Sequence, residues 1–75
     1  MSNPAPTYTD LFRGLAFSVL PENQDRCMNA LLCYSTGRIS WERFEAEIVF
    51  VLGWERYKLF LEETKKATEE RMSSI

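Results

Sequence analysis

The chain has no histidine. That removes the commonest general base, the commonest metal ligand and every Ser-His or Cys-His nucleophile arrangement. Its two cysteines, Cys27 and Cys33, fit neither a Cys-x-x-Cys metal spacing nor a multi-disulfide framework. On a helix, side chains six positions apart diverge by about 120°, so two reduced thiols are expected rather than a bridge between them. Glycine is scarce: Gly14, Gly37 and Gly53 each stand alone, and no phosphate-cradling loop can be built from them. No run of Lys and Arg marks a nucleic-acid footprint, and nine basic against eleven acidic residues leave a net charge of only −2. Unbroken apolar runs such as Ile48 to Leu52 fall far short of the about 20 residues of a membrane span. Met1 to Pro6 has neither the basic nor the apolar segment of a signal peptide. A soluble, cytoplasmic protein working without metal or cofactor is expected.

Carboxylates are the catalytic chemistry that remains. Glu42, Glu45 and Glu47 lie close in sequence. They sit on a face with a solvated pattern, and a chain this short seldom encloses a pocket able to shift a carboxyl pKa. The expectation is that the protein is not an enzyme.

What the chain does have is aromatic residues: two Trp, three Tyr and five Phe among 75 residues. Disordered chains are poor in them, so a packed structure is expected. Length allows one domain, burying about 60 to 65% of its unfolded surface, and oligomerisation is the remaining route to further burial.

The patterning is helical throughout. Residues 1–7 read as a disordered lead, set by Pro4 and Pro6. Thr7 or Thr9 can cap a first helix over 9–20, with Asp10 in its first turn and an apolar stripe of Leu11, Phe12, Leu15, Ala16, Val19 and Leu20. Phe17 falls off that stripe. Pro21 ends this helix and opens a second over 22–35, with Asn23 as a competing cap. Its buried side is expected to include Cys27, Met28, Leu31 and Leu32, with Tyr34 near its end, and Gly37 is placed to take the left-handed conformation beyond it. Ser40 caps a third helix over 41–52, with Ile39 and Phe44 spaced as a hydrophobic staple. The run Ile48 to Leu52 has strand propensity as well, but no other run alternates to pair with it. A last helix, 54–72, becomes charged from Glu62 onward, and residues 73–75 read as a disordered tail.

The fold class read from this is all-α: a small bundle of three to four helices in one domain over 8–72, with a kink or tight turn at Gly53. The core is expected to contain Leu11, Leu15, Val19, Leu31, Phe44, Ile48 and Val51.

Two apolar stripes meet at Gly53. Trp41, Phe44, Ile48 and Val51, with Leu52 and Leu59, form one; Phe50, Trp54, Tyr57, Leu61, Thr64 and Thr68 form the other. On a continuous helix they would lie roughly 180° apart. If Gly53 only kinks the helix, the second stripe cannot reach the core and must pair with a second copy or a target. If the chain folds back there, the stripe is buried within the protomer. The first alternative is the expectation, making Phe50, Trp54, Arg56, Tyr57, Phe60 and Leu61 the candidate interface, because aromatics and Arg dominate interface hot spots.

The function read from this is a small non-catalytic protein–protein interaction module. It would be an inhibitor or adaptor that occupies a larger protein, and a homodimer is expected. Small cofactor-free inhibitors are common among phage and mobile-element products, an analogy of size and composition and not a motif match. The alternative is a helical DNA-binding or transcription-regulating module, suggested by the short turn at Gly37. The net charge and Glu42, Glu45 and Glu47 oppose it, so nucleic acid and membrane are not expected as partners.

Overall fold

The computed structural model describes residues 6–73; of the expected disordered lead 1–7 and tail 73–75, residues 1–5 and 74–75 lie outside that range, while Thr7 caps the first helix and Ser73 is the last residue of the final one. Four α-helices are present among the described residues: α1 Tyr8–Ser18, α2 Gln24–Ser35, α3 Trp41–Leu52 and α4 Trp54–Ser73. A single 3-10 turn, Pro21–Asn23, precedes α2. The described residues contain no strand, and the fold is a small all-α bundle.

Each helix boundary has a local cause. Thr7 caps α1 by accepting the Asp10 N–H, while Asp10 reaches back to accept the Thr7 N–H, a capping box with Asp in the reciprocal position. Helix α1 ends at Ser18, two residues before the sequence expectation. Val19 and Leu20 are extended, as the Pro21 ring requires of the residue before it. Pro21 then starts the 3-10 turn, which delays α2 to Gln24, and Asn23 makes no side-chain cap. At the end of α2, the Gly37 N–H donates to the Tyr34 carbonyl and the Arg38 N–H to the Cys33 carbonyl, with Gly37 at φ +79°. This is a Schellman motif, with Gly37 in the left-handed conformation that the sequence implied. Ser40 accepts the Arg43 N–H and begins α3.

Gly53 separates α3 and α4 by itself. Its N–H closes α3 on the Val49 carbonyl, and its own carbonyl accepts the first bond of α4 from Tyr57. At φ 82° and ψ 163° it occupies a region open only to glycine. The chain folds back rather than kinking. Phe44 and Phe60 would be about 24 Å apart along a straight helix, yet their ring centroids are 6.2 Å apart.

The core holds Leu11, Leu15, Val19, Cys27, Leu31, Phe44, Ile48, Tyr57 and Phe60. Six of the seven residues expected there are buried, and Val51 is half-buried beside them. The differences lie on α1, α2 and α4. On α1 the buried line is Leu11, Gly14, Leu15 and Ser18, and Phe12, Ala16 and Leu20 are exposed. On α2, Leu32 is exposed. On α4 the buried line is Tyr57, Phe60, Thr64, Ala67 and Thr68.

Candidate functional site

Helices α1 and α4 run antiparallel, and their pairing settles which residues of α4 stay outside. At one end, Asp10 is 2% exposed. Its Oδ2 accepts from the Thr7 N–H at 3.0 Å, the Thr68 hydroxyl at 3.0 Å, and Arg71 Nε and Nη2 at 3.3 and 3.2 Å. Burial by itself would push the carboxyl up. The donors from Thr7, Arg71 and Thr68 outweigh it and hold Asp10 below the ordinary carboxylate value. At the other end, Arg56 donates to the Ser18 carbonyl at 3.3 Å, satisfying a backbone group at the end of α1. Between them the backbones close in. A Cβ on Gly14 would stand 2.1 Å from Thr64 Oγ1 and 2.9 Å from the Phe60 carbonyl oxygen. Thr64 Oγ1 lies against this glycine, buried and without a hydrogen-bond partner.

The other side of α4 meets α3 through aromatic rings. Tyr34, Trp41 and Phe44 contact one another at centroid distances of 5.3 to 5.4 Å. Phe44 continues to Phe60, Phe60 to Tyr57 at 5.7 Å, and Tyr57 to Trp54 at 5.9 Å. The buried Tyr57 hydroxyl donates to Glu45 Oε2 at 2.5 Å. Burial first, and then the Glu45 carboxylate, push the Tyr57 pKa well above its ordinary value.

The six residues of the candidate interface therefore part company. Tyr57 and Phe60 are inside the protomer core, a correction to their assignment as interface residues. The reason is the reversal at Gly53, which turns α4 back onto Phe44. Arg56 spans from α4 to the end of α1. Phe50 and Trp54 flank Gly53 and are 76% and 65% exposed, and Leu61 is exposed one turn beyond Tyr57. The Arg26 guanidinium of α2 lies 5.3 Å from the Phe50 ring centroid, within cation–π range. Phe50 and Trp54 thus form an exposed corner on either side of the Gly53 turn, with Arg26 of α2 over the Phe50 ring.

The rest of the surface offers little chemistry. Among the described residues no three His, Cys, Asp or Glu side chains cluster as a metal site. Cys27 and Cys33 are free thiols, and burial raises the Cys27 pKa. Glu45 is engaged by Tyr57 and Glu47 by Arg43, so two of the three glutamates of α3 already have partners. No described helix is long and apolar enough to cross a membrane. Comparison with protein-family models, characterised proteins and solved structures finds no significant match to this chain.

The sequence reading missed the roles of Gly14 and Asp10. The signal for the first was available: a glycine inside a helical pattern, costly there by about 1 kcal/mol, points to a close approach.

Proposed function

We propose that the protein is a non-catalytic, cytoplasmic interaction module that binds a larger protein, as an inhibitor or adaptor, through the corner formed by Phe50, Trp54 and Arg26. The observation that supports this is the placement of two large aromatics on either side of Gly53. Both are mostly solvent-exposed, although the fold has room to bury Tyr57 and Phe60 on the same helix. A Phe and a Trp beside an arginine are the residue types from which interface anchors are made. A fixed turn presents them with little ordering left to lose on binding. Leu61 lies on a different part of α4 and is not included in this corner.

The test is affinity capture with the tagged chain and with Phe50→Glu/Trp54→Glu. A protein retained by the parent and lost by the double variant, with helix content unchanged, supports the reading. Equal capture by both proteins would refute it. A salt-dependent shift of duplex DNA by the parent would favour a DNA-binding module instead.

A further inference from the structure

A second surface, separate from the Phe50–Trp54 corner, lies along the C-terminal half of α4. Trp41 at the start of α3 walls one side of a groove of about 610 Å³ whose floor is α4. Leu61, Lys65, Thr68 and Met72 line it at the four- and three-residue steps that keep side chains on one helix face, and Glu69, one turn beyond Lys65, borders them. Leu61 and Met72 are among the exposed large apolar residues of the protomer.

The charges in this groove are unspent. Lys66 pairs with Glu63, Arg13 with Glu70 and Arg71 with Asp10. Lys65 and Glu69 have no ion-pair partner among the described residues, neither each other nor a neighbour. They stand one turn apart with opposite sign. A two-fold axis perpendicular to α4 reverses the order of residues along the helix. If it passes beside Ala67, midway between the two, each Lys65 meets the partner's Glu69. The apolar residues place an axis at nearly the same point. The midpoint of Leu61 and Met72 lies within half a residue of Ala67, so each Leu61 comes beside the partner's Met72. An isologous contact needs such self-complementarity, and here charge and apolar spacing give the same axis. An acidic foreign helix would satisfy Lys65 but leave Glu69 unpaired, and a basic one would do the reverse.

We infer that α4 docks against α4 of a second copy, antiparallel about an axis near Ala67, forming a symmetric homodimer. Sedimentation equilibrium on the full chain tests it with Lys65→Glu, Glu69→Lys and the double swap. The parent should be dimeric at micromolar concentration. Each single swap faces like charges across the axis at two places and should weaken the dimer by about tenfold or more. The double swap restores opposite pairing and should recover the parent's dimerisation, with helix content constant throughout. A parent that stays monomeric at high micromolar concentration overturns the inference. So does a double swap no better than the single swaps, because the two charges would then not face each other. Phe50→Glu/Trp54→Glu should dimerise like the parent, so failure of the corner and failure of the groove are separable. Leu61→Glu/Met72→Glu should stay folded and become monomeric; unfolding instead would show the groove to be filled by the chain itself and would also overturn the inference.

Discussion

The two sides of α4 are held in different ways. Toward α3 the contact is a run of rings, Phe44 on Phe60 and Phe60 on Tyr57, filled by bulk. Toward α1, beside the buried Leu11 and Leu15, the closest approach is made at a glycine. Gly14 lies against Thr64 and the Phe60 backbone, and the ends are tied by Asp10 to Arg71 and by Arg56 to the Ser18 carbonyl. The second side is nonetheless the larger helix–helix contact of the fold. Small residues let backbones approach and gain dispersion contacts along their length, while the polar ties fix register. One helix thus shows two routes to a packed interface, and each should fail in its own manner.

The largest effect should come from the bulky side. Ile48→Asp puts a carboxylate into a fully buried position among apolar neighbours. The loss of the side chain and the burial of an unpaired polar group should together exceed about 4 kcal/mol, a large share of the stability of a domain this small. The variant should lack a cooperative thermal transition in circular dichroism. A melt like the parent's would show that Ile48 does not carry the core.

The close-packed side should respond to addition rather than loss. Gly14→Ala improves helix propensity by about 1 kcal/mol, so an exposed glycine would yield a more stable protein. Here the new methyl meets Thr64 Oγ1 and the Phe60 carbonyl oxygen, and the backbone atom cannot rotate away. A net loss of about 2 kcal/mol is expected in urea denaturation. Thr64→Ala in the same chain removes the nearer clash and should recover part of it. A stabilised Gly14→Ala would break the distinction between the two sides.

This contrast also explains what could be read in advance. Apolar periodicity located Phe44, Ile48, Leu11 and Leu15, because bulk is what such periodicity measures. It turned α1 toward Phe12 and Ala16, because Gly14 and Ser18 carry no apolar signal, and on α4 it set Thr64 and Thr68 on the stripe but took Leu61 in place of Phe60. The caps at Ser40 and Gly37, and the first cap as one of Thr7 and Thr9, were legible because each rests on the chemistry of a few adjacent residues. The reversal at Gly53 was legible only as a choice of two. Its outcome depends on contacts between residues far apart in sequence, such as Asp10 with Thr68. For the candidate interface, residue type singled out Phe50 and Trp54, which the fold leaves exposed beside the turn. It could not distinguish them from Tyr57 and Phe60, because exposure follows from the tertiary fold.

A smaller effect separates the sides by acid. The folded state holds the Asp10 pKa below its ordinary value. The resulting stabilisation is complete above the unfolded value of about 3.9 and is lost as pH falls through the folded value. Asp10→Asn should cost about 1 to 1.5 kcal/mol at neutral pH, because Arg71 can turn to solvent but the Thr7 and Thr68 donors lose a charged acceptor. The difference between parent and variant should shrink below about pH 4. A difference that stays constant across that range would remove the Asp10 carboxylate from the ties on the α1 side.

The smallest effect should come from the opposite end of the pH scale and the opposite side of α4. Tyr57 is buried with its hydroxyl on Glu45, and both facts disfavour the phenolate. Its pKa is raised on folding, so the contribution is fully present below the unfolded value of about 10 and is lost as pH rises beyond it. Tyr57→Phe keeps the ring contacts with Phe60 and Trp54 and removes only the hydrogen bond. Glu45 is only half-buried and can be rehydrated, so the cost at neutral pH should be about 1 kcal/mol or less. Above about pH 10 the parent should lose stability faster than the variant, as unfolding releases a phenol free to ionise, and the two melting curves should converge. Parallel loss in parent and variant would mean that Tyr57 ionises as easily folded as unfolded. That would be incompatible with a buried hydroxyl on the ring-packed side. Acid sensitivity through Asp10 and alkaline sensitivity through Tyr57 thus report separately on the two faces of one helix, each through a single group the other face does not touch.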